Sequence, residues 1–115
     1  MSAAIIANLE KMLDGPRDGA LLRYSLGNEL LKAGNSAAAA QRFREAVEKD
    51  AHYSAAWKLL GKALAEAGDN TAALAAYTQG IAVAEARSDV QAAKEMGVFA
   101  RRLQKTISPD QNAVG

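Results

Sequence analysis

Two consecutive stretches decide the fold. Residues 20–53 read ALLRYSLGNELLKAGNSAAAAQRFREAVEKDAHY, and residues 54–87 read SAAWKLLGKALAEAGDNTAALAAYTQGIAVAEAR. Laid over each other at an offset of 34 residues, Leu26-Gly27 falls on Leu60-Gly61, Leu30 on Leu64, Gly34 on Gly68, Ala39 on Ala73 and Phe43 on Tyr77. Small and large apolar residues recurring in a fixed order at that period mark an array of helix–turn–helix units.

Composition points the same way. Half of the 115 residues are hydrophobic, only 5% are aromatic and two are proline. Much of the apolar content is alanine, the strongest helix former, which has no side-chain rotamers to freeze. The chain should therefore be all-α, with helices that approach closely. Net charge is +1 with acids and bases interspersed, so the basic stripe of a nucleic-acid binder is not expected. The absence of cysteine excludes disulfides and thiolate metal sites. Asn8, Glu10 and Lys11 interrupt the N-terminal apolar residues, which argues against a signal peptide. No stretch approaches the roughly 20 apolar residues of a membrane span. A cytoplasmic protein is the expectation.

Outward from the repeats, the pattern predicts six helices. The first runs over 2–13, capped by Ser2, with Ile5, Leu9 and Met12 on one face, and Asp14-Gly15-Pro16 stops it. The second spans Asp18 to Gly34, with Leu22, Leu26 and Leu30 in one stripe. Ser36 caps a third, running to Lys49, that buries Ala39, Phe43, Ala46 and Val47. A fourth covers His52 to Ala67. Asp69 caps a fifth, with Ala73, Tyr77 and Ile81 inward. Ser88 and Gln91 form a capping box for a sixth, ending near Thr106. Residues 108–115 read as a frayed tail. Links of two to four residues make neighbouring helices antiparallel. The expected architecture is a right-handed α-solenoid in one domain, 1–107, divided into a half-repeat cap (2–13), repeats at 20–53 and 54–87, and a C-terminal cap helix (88–106).

These residues resemble the tetratricopeptide repeat, whose pattern is W-x2-L-G-x2-Y, then A-x3-F, then P. Trp57, Leu60, Gly61, Ala73 and Tyr77 carry it in the second unit; Leu26, Gly27, Ala39, Phe43 and Ala46 carry it in the first. Arg23 replaces the tryptophan, Leu30 and Leu64 the tyrosine, and Ala51 and Glu85 the proline. Helices approach to about 8–9 Å only where small residues meet, a role expected for Gly27 and Gly61 against Ala39 and Ala73. Phe43, Trp57 and Tyr77 should fill the spaces between successive pairs. In the sixth helix, strict register places Gln91, Lys94, Glu95 and Val98 inward. A phase one residue earlier offers Val90, Ala93, Gly97 and Ala100, and this shifted stripe is the expected core face, leaving Met96 and Phe99 outside it.

The resemblance implies a non-catalytic module that binds a peptide or partner helix of another protein in a concave groove. The groove positions would be Tyr24, Asn28, Leu31, Lys58, Lys62 and Ala65, with Leu21 on the same face. Their lysines would suit an acidic or carboxylate-bearing segment. Some relatives clamp a C-terminal carboxylate across three repeats. Asn28 matches one clamp position, but Tyr24, Leu59, Asp89 and Ala93 replace the others, so that clamp is not expected. His52 is the only histidine and has no second ligand of its type, so neither a metal nor a cofactor is expected. Arg101, Arg102 and Lys105 read as a solvated basic face. The alternative function is a structural assembly subunit. The unpaired face of Ile5, Ile6, Leu9, Met12 and Leu13 would then support a homodimer or packing into a larger complex.

Overall fold

The structure, a computed structural model, describes residues 2–107. The predicted tail at 108–115 and the capping role of the Ser2 side chain lie outside the described residues. The six helices are α1 (Ser2–Glu10), α2 (Ala20–Lys32), α3 (Ser36–Lys49), α4 (Ser54–Glu66), α5 (Asn70–Ala86) and α6 (Val90–Ile107). Each packs against its neighbours in sequence, giving a right-handed α-solenoid of antiparallel pairs. Helix α4 also approaches α2 on one side and α6 on the other, whereas no backbone approach of that kind joins α3 to α5. The stack therefore curves with α2, α4 and α6 on its inner side. It measures 52 × 30 × 19 Å with a radius of gyration of 15.0 Å, above the roughly 13 Å of a compact chain of this length.

The turns inside the pairs are built from one motif. Gly34 and Gly68 adopt φ of +83° and +89°, a left-handed conformation that costs a residue with a Cβ about 1–2 kcal/mol. The next N–H in each case, of Asn35 and Asp69, reaches back to the carbonyls of Leu30 and Leu64 at 2.9 Å. This closes the helix end as a Schellman turn. The same two residues then cap the following helix, accepting from the N–H of Ala38 and Ala72. Asn35 thus takes the role expected of Ser36, which is already helical and bonds Glu66 through its hydroxyl.

The motif occurs a third time, between α5 and α6. Ser88 adopts φ of +60°, the Asp89 N–H reaches the Ala84 carbonyl at 2.8 Å, and the Asp89 carboxylate caps Ala92. The predicted Ser88–Gln91 capping box is therefore replaced by an Asp89 cap. The remaining boundaries also moved inward. Helix α1 ends at Glu10 rather than Leu13, α2 starts at Ala20 because Asp18 is engaged elsewhere, and α4 starts at Ser54 rather than His52.

Leu26, Phe43, Leu60 and Met96 are the largest fully buried side chains. The glycines work differently from the sequence expectation. A Cβ on Gly27 would lie 2.8 Å from the Phe43 ring, and one on Gly61 would lie 2.6 Å from the Tyr77 ring. Phe43 and Tyr77 thus lie over glycines within their own pairs, and Tyr77 also packs with Met96 and Phe99 of α6, between one pair and the next helix as expected. Gly80 of α5 repeats the device, pressed by Met96 and by the Cβ of Trp57.

That contact shows why the predicted α6 stripe holds only in part, with Ala93 and Ala100 inward but Met96 at its centre. Met96 is fully buried and Ala92, Ala93, Ala100 and Leu103 pack around it, while Val90 is 61% exposed. Helix α5 has 17 residues against 14 in α3, and its link to α6 is one residue shorter than the α3–α4 link. The register therefore slips two residues, and Met96 and Gly97 take the places that Leu60 and Gly61 hold in α4.

Candidate functional site

Helices α4 and α6 stand side by side on the inner face, and α5 packs behind both. Between them lies a cleft of about 500 Å³. Tyr77 forms its floor, Leu59 and Ala65 line one wall, and Phe99 lines the other. The Tyr77 and Phe99 rings lie 5.6 Å apart, within the range of favourable aromatic pairs. Burial, and secondarily the charge of Glu66, pushes the Tyr77 hydroxyl up to about 12, so it is a neutral phenol at any physiological pH. Lys58, Lys62 and Glu66 rim the cleft.

Three predicted groove residues, Lys58, Lys62 and Ala65, therefore share one cavity. The lysines are not equivalent. Lys58 bridges to Glu95 of α6 at 3.2 Å, which ties the two walls together. Lys62 is exposed and forms no ion pair among the described residues. The other three predicted positions lie along α2, away from the cleft lining. Tyr24 is half-buried, its ring stacked 4.9 Å from Tyr53 and tilted 5.8 Å from Phe43. Leu31 packs on the core, Asn28 is half-buried and Leu21 lies open to solvent. Phe99, set aside in the sequence reading as outside the core stripe, is a cleft wall. Only the two-residue register slip of α6 brings it there.

The α1 face also divides differently from the prediction. Ile6, Leu9 and Leu13 pack inward on the core, leaving Ile5 45% and Met12 37% exposed. Trp57 packs at the core edge, where its indole N–H donates to the Ala51 carbonyl at 2.8 Å. His52 is exposed, and its carbonyl accepts from Arg87.

Arg23, at the tryptophan position, organises a cluster that local reading missed. Its guanidinium donates to Asp18 through Nε at 2.9 Å and through Nη2, to Glu45 at 2.8 Å and to Asp14 at 3.3 Å. Asp18 also accepts the N–H of Asp14. The Arg23 hydrogen bonds hold the Asp18 carboxyl well below the usual carboxylate range. Burial raises Glu45, but hydrogen bonds from Arg23, Arg42 and Gln41 outweigh it and leave Glu45 below its ordinary value. The cluster pins the loop before α2 to α3.

Stacked helix pairs, a recurrent glycine–ring crossing and an inner cleft define a helical-repeat protein. The chain belongs to the tetratricopeptide repeat family, whose sequence profile matches residues 24–94. It is 50% identical over 101 residues to the TPR repeat-containing protein PA0015 of Pseudomonas aeruginosa, covering 88% of this chain and 96% of that one. It is similar to the solution structure of protein BPP2914 from Bordetella parapertussis, with a TM-score of 0.77, 39% identity and 94% of each chain covered. It also resembles the solution structure of a tetratricopeptide repeat domain protein from Salinibacter ruber, with a TM-score of 0.68 and 30% identity, over 78% of this chain and 90% of that one. Members of this family are generally protein–protein interaction modules. Among the described residues, no helix is long and apolar enough to cross a membrane.

Proposed function

We propose that this chain is a non-catalytic binding module whose α4/α6 cleft takes an apolar side chain from a peptide or partner helix, with an acidic group of the ligand on Lys62. The observation that supports this reading is the cleft itself. Its floor is the buried Tyr77 ring, its far wall is the partly exposed Phe99, and Lys62, which forms no ion pair among the described residues, stands at the rim. An apolar anchor supplies affinity by leaving water, while the charge sets orientation. The cleft is held by the Lys58–Glu95 bridge and by core packing, so little ordering entropy is lost on binding. Repeats 20–53 and 54–87 act here as one binding unit, with Asn28 and Leu31 of α2 extending the path of a longer ligand.

The test is a peptide array in which leucine or phenylalanine is flanked by aspartate or glutamate, followed by amide-shift mapping of the best binder. The expected shifts centre on Lys62, Ala65, Tyr77 and Phe99. Lys58→Glu with Lys62→Glu should weaken that binder at least about tenfold, or 1.4 kcal/mol. A binder that shifts only α3 and α5, or one held equally well by the double variant, rejects this site.

A further inference from the structure

The crossing of α4 on α5 carries a polar group that the fold does not use. Phe43 and Tyr77 make the same contact one repeat apart, each laying Cδ1, Cε1 and Cζ over a glycine. Phe43 does so as a plain hydrocarbon ring, fully buried. The crossing therefore needs no hydroxyl, and the one on Tyr77 is surplus to it.

That hydroxyl has no bond inside the protein. Tyr77 is 4% exposed, yet its hydroxyl forms no hydrogen bond among the described residues. Every side-chain oxygen or nitrogen there that is sealed from solvent has a partner, so the Tyr77 oxygen is not sealed. Tyr77 lines the α4/α6 cleft, and its remaining open surface is the phenol tip at the cleft floor. Burial and the Glu66 charge keep that phenol protonated, so it is a hydrogen-bond donor.

Glu66 supplies the matching acceptor. It lines the same cleft, and its Oε2 accepts the Ser36 hydroxyl at 3.2 Å. Its Oε1 takes no hydrogen bond among the described residues. A donor and an acceptor in one corner suit a group that carries both, and a primary carboxamide is such a group. A carboxylate in that corner would face the Glu66 charge. An aliphatic group would strip water from the hydroxyl and offer nothing in return. At about 500 Å³, the cleft has room for such a group beside an apolar anchor.

We propose that the Tyr77–Glu66 corner reads the carboxamide of an asparagine or glutamine in the bound segment, the Tyr77 hydroxyl donating to its carbonyl and Glu66 accepting from its NH2. This rests on the α4/α6 cleft being the binding site, with the apolar anchor against Leu59 and Phe99 and the acidic group on Lys62.

The probe is the best leucine- or phenylalanine-anchored peptide of the array, remade with each other position set in turn to glutamine, glutamate or methionine, three side chains of similar shape. At one position glutamine should bind at least about fivefold tighter than either of the others. Tyr77→Phe should erase that preference, bind the parent peptide no worse and melt no lower than wild type. Glu66→Gln should shrink the penalty on glutamate. A scan in which no position favours glutamine overturns the proposal. So does a preference that survives Tyr77→Phe, a lowered melting point for that variant, or a glutamate penalty unchanged in Glu66→Gln. Each of these leaves the anchor reading of the cleft standing. An array with no binder, or a parent peptide whose amide shifts fall outside the cleft, rejects that reading and the carboxamide corner with it.

Discussion

Gly61→Ala adds one methyl group against a buried ring. Its Cβ would lie 2.6 Å from Tyr77 Cε1 and 2.7 Å from Cδ1 and Cζ, whereas ordinary contacts begin at 3.4 Å. The ring must retreat by about 0.8 Å, and Tyr77 is 4% exposed in a packed core. Overpacking of this kind costs about 1–3 kcal/mol, while replacing a mid-helix glycine returns up to about 1 kcal/mol of helix propensity. Gly97→Ala supplies the reference. It gains the same propensity, and its Cβ meets only the mobile Arg101 side chain. The difference between the two variants isolates the ring clash. At roughly 4 °C per kcal/mol for a chain of this size, Gly61→Ala should melt about 4–12 °C below Gly97→Ala in dilute solution. Gly61→Leu should fall further. Adding Tyr77→Leu to Gly61→Ala should narrow the gap, because the smaller side chain vacates the contact. If Gly61→Ala and Gly97→Ala shift the melting temperature equally, the glycine–ring crossing is not what sets the approach of α4 and α5.

The Arg23 cluster makes stability depend on pH. Asp18 and Glu45 have folded-state pKa values below their ordinary ones, so the unfolded chain binds more protons in acid. Their contribution is present above the ordinary carboxylate pKa and is lost as pH falls. Urea midpoints of the wild type should therefore drop more steeply from about pH 6 to about pH 3 than those of Arg23→Met; parallel slopes would mean that the cluster is inert. Ser88→Gly relieves a left-handed residue at the α5–α6 turn and should stabilise by up to about 1 kcal/mol, while Gly68→Ala at the matching turn should destabilise by a similar amount. Thermal melts that rank these two the other way would refute the shared turn geometry.

The repeat was legible because it is a local rhythm. Leu26-Gly27 on Leu60-Gly61 and Gly34 on Gly68 are features the chain shows without folding, and they led to the correct number and order of helices and to the family. Asp69 was legible as a cap for the same reason. Asn35 was passed over for Ser36 because both residue types cap helices and only backbone geometry separates neighbours. The α6 phase was hidden because its turn carries Ser88 where the other two carry glycine, so nothing in the composition marks where α5 stops. With that boundary went Met96, Phe99 and the far wall of the cleft. The Arg23 cluster joins residues up to 22 apart, beyond any helical period.

Sequence by itself determined that this chain is a tetratricopeptide array of alternating helices, because helix propensity, apolar spacing and turn chemistry act over a few residues. The tertiary structure alone decided which residues meet across helices. Phe43 and Tyr77 lie over glycines, Lys58 is spent on Glu95, and among the described residues Lys62 forms no ion pair while Ile5 and Met12 stay exposed. Those outcomes follow from helix lengths and crossings accumulated along the stack. A difference of one or two residues in a turn rotates a whole helix face from core to solvent.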